Sequence, residues 1–95
     1  MHLIEAVIHN DPKGVRAALE EGADPNACLD PALVTPLHFA AQHNALEVIP
    51  LLITAGAKIN ARTFPDGQTA LDVARLHRHA EMTKLLEEYS LRCQD

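Results

Sequence analysis

A shift of 34 residues lays this sequence over itself without a gap, and no other feature restricts the possible folds as far. Under that shift Leu3, Leu37 and Leu71 coincide, as do Ala6, Ala40 and Ala74, and then Ala18, Leu52 and Leu86. Gly22 falls on Gly56, Ala23 on Ala57, Asn26 on Asn60 and Thr35 on Thr69. So many positions agreeing in one register mark a unit written three times, each copy burying its apolar face against the next. The copies run over about residues 1–34, 35–68 and 69–90, leaving 91–95 as a short tail that frays.

The middle copy gives the clearest local chemistry. Thr35 caps a helix with its hydroxyl and Pro36 fits the first helical position, where no amide hydrogen is needed. Leu37, Ala40 and Ala41 form one small apolar face at helical spacing, and Asn44, tolerant of a left-handed backbone, ends that helix. Leu46, Ile49, Leu52 and Ile53 form the stripe of a second helix that Gly56 stops; Pro50, near its first turn, removes one donor. Helices this short are unstable alone in water, so the pair requires neighbours.

The other copies follow the same plan. The first has helices over about 2–9 and from Asp11-Pro12, which serve as cap and first helical residue, to a stop at Gly22. Asp24-Pro25-Asn26 and Asp30-Pro31 in the first connector, and Pro65-Asp66-Gly67 in the second, are turn chemistry. The third has helices near 70–77 and 80–89, with Ser90 where a glycine stood.

Polar exceptions to the pattern fall at its ends. Glu5 occupies the register of Phe39 and Val73, whereas Arg75, Thr83 and Glu87 replace Ala41, Ile49 and Ile53 in the last copy alone. The outermost faces of a stack have no neighbour and must be wetted, so this order predicts a stack complete at three units.

Composition removes several functional classes. A net charge of −5, from 13 acidic and 8 basic residues, opposes binding to nucleic acid or to anionic membranes, both of which need a basic surface. Glu5 interrupts the first apolar residues, so no signal peptide is read there, and no apolar run reaches the length of a membrane span. Cys28 and Cys93 make neither a disulfide framework nor a metal spacing; free thiols agree with a reducing, cytoplasmic setting. Only 3% of residues are aromatic, which suits closely stacked short helices and not an aromatic ligand box.

The run Thr35-Pro36-Leu37-His38-Phe39-Ala40-Ala41, then Leu46-Glu47-Val48-Ile49, Leu51-Leu52-Ile53, Ala55-Gly56-Ala57 and Asn60-Ala61, resembles an ankyrin repeat. Gly67-Gln68-Thr69-Ala70-Leu71 resembles the start of the next, and the resemblance covers nearly the whole chain. It departs from the family pattern at Asn44-Ala45, where Gly-His is usual, at Pro50, in connectors one residue long of the norm, and at the residues in the His38 register, Ile4 and Asp72. The resemblance implies an all-α solenoid of three stacked helix-turn-helix units with β-hairpin-like connecting loops. It also implies protein recognition without catalysis, through a concave side made of loop tips and the exposed face of each first helix. His38 is by resemblance a structural histidine that hydrogen-bonds locally.

Six histidines raise the question of metal or catalysis. His9, His43 and His77 share one register, which by resemblance lies at the first-helix ends on the concave side. Equivalent side chains on helices ~8–10 Å apart make a ladder, whereas an ion draws its ligands to about 2 Å. Surface histidines that a partner touches are the better reading, and since imidazoles change charge in the physiological range, binding is expected to depend on pH. His77-Arg78-His79 lacks the spacing of two ligands on one helical face and reads as a solvated turn. No serine or cysteine has the setting of an activated nucleophile, and no glycine-rich phosphate loop is present.

The expected activity is therefore binding of another protein by a monomeric, non-enzymatic module with no cofactor, metal, nucleic acid or membrane. The expected contact residues are the pairs Ile8-His9, Gln42-His43 and Leu76-His77, with Arg62, Phe64 and Asp66 in the second connector. The acidic balance favours a partner with some basic character. Two alternatives are an inhibitor that occludes an enzyme's site and a structural or assembly spacer.

Overall fold

In the first unit, α1 (Leu3–Ile8) turns into α2 (Pro12–Glu20), and the second unit begins with α3 (Pro36–Gln42). A single 3₁₀ turn at Leu46–Val48 leads into α4 (Ile49–Thr54), and the third unit consists of α5 (Ala70–Leu76) and α6 (Ala80–Arg92). This is a computed structural model, and it describes residues 3–27 and 33–92. Among the described residues the secondary structure is helical, without strands. The first helices form one layer, α1 against α3 and α3 against α5, and the second helices pack behind them. The body measures 30 × 28 × 26 Å.

The same local device closes each first helix. The Asp11 N–H donates to Ala6 O, the Ala45 N–H to Ala40 O and the His79 N–H to Ala74 O, at 2.9, 2.9 and 3.0 Å. Each bond reaches back across a residue with positive φ: Asn10 (50°), Asn44 (55°) and Arg78 (58°). Asparagine accepts this backbone readily; Arg78 accepts it because the packed helices on both sides hold the turn. Gly22 (φ 98°) and Gly56 (φ 103°) close α2 and α4 in the same way. Ser90 cannot do this cheaply, and α6 runs on to Arg92. Leu91 and Arg92, expected in a frayed tail, are thus helical, while the rest of that tail, 93–95, lies outside the described residues.

Pro50 has a larger effect than the loss of one donor. Instead of one continuous second helix there is a 3₁₀ turn followed by a fresh α-helical start at Ile49. The proline ring would collide with the carbonyl four residues back, that of Leu46, and so separates the two segments. Asp11 stands at the N-cap of α2 as expected, but its side chain bonds no helix amide there.

The core follows the repeat register. Ala6, Ala40 and Ala74 are buried, as are Ala18, Leu52 and Leu86. Leu3 and Leu37 are buried, but Leu71, in the same register on the outer side of the third unit, is only half-buried. The polar exceptions behave as wetted ends: Glu5 is exposed, and Arg75 Nη2 meets Glu87 Oε2 at 3.0 Å on the outer face of the last unit.

Candidate protein-recognition surface

His38 and Asp72 occupy one register and start with one task. In each case the residue three positions into the helix reaches back to the N–H of the capping threonine. Asp72 Oδ2 accepts from Thr69 N–H at 3.1 Å, and Thr69 Oγ1 accepts from Asp72 N–H at 3.2 Å. His38 Nδ1 accepts from Thr35 N–H at 3.1 Å and lies 2.8 Å from Thr35 Oγ1. The histidine then does what an aspartate cannot. Its Nε2 reaches the Gln68 carbonyl at 2.7 Å, pinning the end of the second connector, so Nε2 carries the proton and the ring is neutral. Burial pushes its pKa below the ordinary 6.5, against bonds to the Gln68 and Ala61 carbonyls that raise it. The structural role that the resemblance implied for His38 is thereby accounted for, and its ring is not exposed for chemistry.

The second connector folds back on itself above α5. Thr63 N–H donates to Gln68 O at 2.9 Å, Gly67 N–H to Thr63 O at 2.8 Å, and Gln68 N–H to Thr63 Oγ1 at 3.1 Å. Gly67 at φ 66° closes the loop, and Phe64 at its tip is 62% exposed. Arg62 and Asp66 are exposed on either side of it and form no ion pair with each other.

The first-helix ends are unequal. His9, Gln42, His43, Leu76 and His77 are exposed, Leu76 at 66%, whereas Ile8 is half-buried and offers less apolar surface than its spacing implied. The turn His77-Arg78-His79 is more than a solvated turn. His79 is half-buried, and its Nε2 donates to the carbonyl of Gln42 at 3.1 Å, across the junction between units. The rings of His77 and His79 stack, with centroids 6.0 Å apart and planes 18° from parallel. The third rung of the histidine ladder is therefore buttressed from beneath. Sequence spacing could not reveal this link, since it joins residues 37 positions apart. Among the described residues no group of histidine, cysteine and carboxylate side chains is arranged to hold a metal ion.

A stack of helix pairs with a projecting loop is the architecture of a repeat protein, and no helix among the described residues is long and apolar enough to cross a membrane. The sequence model for ankyrin repeats, in three copies, matches residues 3–95. The chain belongs to the ankyrin repeat family, whose members generally mediate protein–protein interaction and whose fold is typically non-catalytic. It is 43% identical over 60 residues to the 2-5A-dependent ribonuclease of Mus musculus, matching 63% of this chain and 8% of that protein. It is 42% identical over 86 residues to the potassium channel KOR1 of Oryza sativa, covering 90% of this chain and 10% of the channel. To the cyclin-dependent kinase 4 inhibitor B of Bos taurus it is 31% identical over 84 residues, 87% of this chain and 63% of that protein. The chain thus spans a small part of the ribonuclease and the channel.

Proposed function

We propose that the chain is a non-catalytic recognition module that grips a partner protein between its first-helix ends and the tip of its second connector. The contact set is Gln42, His43, Leu76 and His77 at its centre, Phe64 with Arg62 and Asp66 on the loop, and Ile8 and His9 at the far edge. The observation that carries this reading is the exposure of Phe64 and Leu76, two of the four large hydrophobic side chains that stand exposed among the described residues. Apolar anchors beside polar, hydrogen-bonding neighbours are the composition of interface centres. The partner is protein, and the net charge of −5 favours one with a basic face.

The test is an affinity capture compared between the wild type and a variant with His43→Ala, Leu76→Ala and His77→Ala. Partners specific to the wild type should be lost, and the wild-type affinity should differ between about pH 5.5 and about pH 7.5, across which imidazole charge changes. If every specific partner survives the triple change, the assigned surface is wrong.

A second reading has one observation behind it. The bovine kinase inhibitor is matched over 63% of its own length, far more than the ribonuclease or the channel. A module of this size acting by occlusion would lower a target kinase's activity on stoichiometric addition, and the same triple variant would relieve the inhibition.

A further inference from the structure

Asn26 and Asn60 share a register but not a role. Asn26 donates from Nδ2 to Gly56 O at 2.9 Å and accepts at Oδ1 from Lys58 N–H at 2.7 Å, so the first unit's loop clasps the turn that ends α4. The clasped segment, Gly56-Ala57-Lys58, offers one carbonyl and, two residues on, one N–H. In the third unit the corresponding segment is Ser90-Leu91-Arg92, which is helical. The N–H groups of that segment are spent inside α6, so Arg92 offers no free N–H to Asn60 as Lys58 does to Asn26. Among the described residues the Asn60 side chain makes no hydrogen bond and is exposed.

A hollow of about 390 Å³ lies at this place, lined by Ile53, Gly56, Ala57, Lys58, Ile59, Asn60 and Ala61. Half-buried Ile53 and Ala57 and buried Ile59 give it an apolar floor, and the Asn60 amide supplies a donor and an acceptor at its edge. The volume falls in the range of clefts that hold ligands. Backbone contact repeats the pattern: α4 packs on α2 but makes little contact with α6.

We propose that the hollow beside Asn60 is a binding site for a helix-ending turn of a partner protein, a glycine followed by a small residue. The partner's glycine carbonyl accepts from Asn60 Nδ2, and the N–H two residues later donates to Asn60 Oδ1. The small side chain between them rests on the apolar floor. The chain's own Asn26 clasp provides both the bonding pattern and the chemistry of the ligand. This site shares no residue with the contact set proposed above and stands or falls separately.

The probe is a synthetic peptide copying residues 53–59, acetylated and amidated, titrated into the 15N-labelled full chain. The Asn60 side-chain amide and the Ile59 backbone amide should shift saturably, with Kd below about 1 mM. Asn60→Ala should weaken binding about tenfold, the worth of two neutral hydrogen bonds. A second variant supplies the turn within the chain: Ser90→Gly, Leu91→Ala and Arg92→Lys together. It should shift the Asn60 amide without peptide and abolish peptide binding. The proposal is overturned if the Asn60 amide responds to neither the peptide nor the built-in turn. It is equally overturned if Asn60→Ala binds the peptide as well as the wild type. Shifts of the Asn60 amide that track protein concentration without peptide would assign the seat to a second copy of the chain, and would also overturn it.

Discussion

The two junctions in this stack are held by different side chains. Between the first and second units the ties are asparagines: Asn10 Oδ1 accepts from Glu47 N–H at 3.2 Å, and Asn26 clasps Gly56 and Lys58. Between the second and third the ties are histidines: His79 Nε2 donates to Gln42 O, and His38 Nε2 anchors the Gln68 carbonyl just before the third unit. Asparagine amides carry no charge at any ordinary pH, whereas imidazoles gain one on acidification. One repeat pattern has therefore produced, among the described residues, one junction tied by amides and one tied by imidazoles, of which the buried ring of His38 is held below its ordinary pKa by desolvation. The layer of first helices is continuous through both, while among the described residues the layer of second helices is clasped at the first junction and not at the second.

The strongest way to break this comparison is through the core. Leu37 is 1% exposed and Leu71, its counterpart, is half-buried at the open end. Leu37→Ala should cost about 2–5 kcal/mol, and Leu71→Ala less than half as much, because the truncated side chain at the open end leaves no closed cavity. Urea unfolding of both variants measures the difference; equal costs would mean that the outer face is covered in solution.

Next in size is His38. His38→Ala should cost about 1–3 kcal/mol near neutral pH by orphaning the Thr35 N–H and removing one of the two donors to the Gln68 carbonyl. Because burial lowers its folded pKa below the ordinary 6.5, the unfolded chain takes up the proton first. The stabilisation by His38 is thus complete above about pH 6.5 and is lost as pH falls from there toward the folded value. Denaturation midpoints of the wild type should decline on acidification more steeply than those of His38→Ala, and parallel declines would remove His38 as the cause.

The smallest effect separates the asparagines. Asn26→Ala should cost about 1–2 kcal/mol and Asn60→Ala almost nothing, since only the first holds a partner turn within the chain. Thermal midpoints of the two variants compare them directly.

Much of this architecture is legible in the residues. Thr35-Pro36 and Thr69 open helices where their capping chemistry places them, and Asn44, Gly22 and Gly56 close them with the left-handed backbone expected of those residue types. Polar substitutions at Glu5, Arg75 and Glu87 mark the wetted faces, and Arg75 and Glu87 pair there. For Arg78 only its register with Asn10 and Asn44, and nothing in arginine itself, points to positive φ. The break at Ile49 follows from Pro50, yet its form as a 3₁₀ turn depends on how Leu46 and Val48 seat against the neighbouring unit. The half-burial of Ile8 and the stacking of His77 on His79 required the folded neighbours.

By itself the sequence determined the repeat, the helix limits set by local chemistry, the register of the core and the membership of the ankyrin family. These follow from short-range rules of capping and periodicity repeated every 34 residues. Tertiary structure alone decided which of the equivalent side chains are bonded. His38 and Asp72, Asn26 and Asn60, and Leu37 and Leu71 start from the same register and end in different environments. The physical reason is that a hydrogen bond or a buried contact needs a second group within a few ångströms, and units built on one register do not offer the same groups to their neighbours.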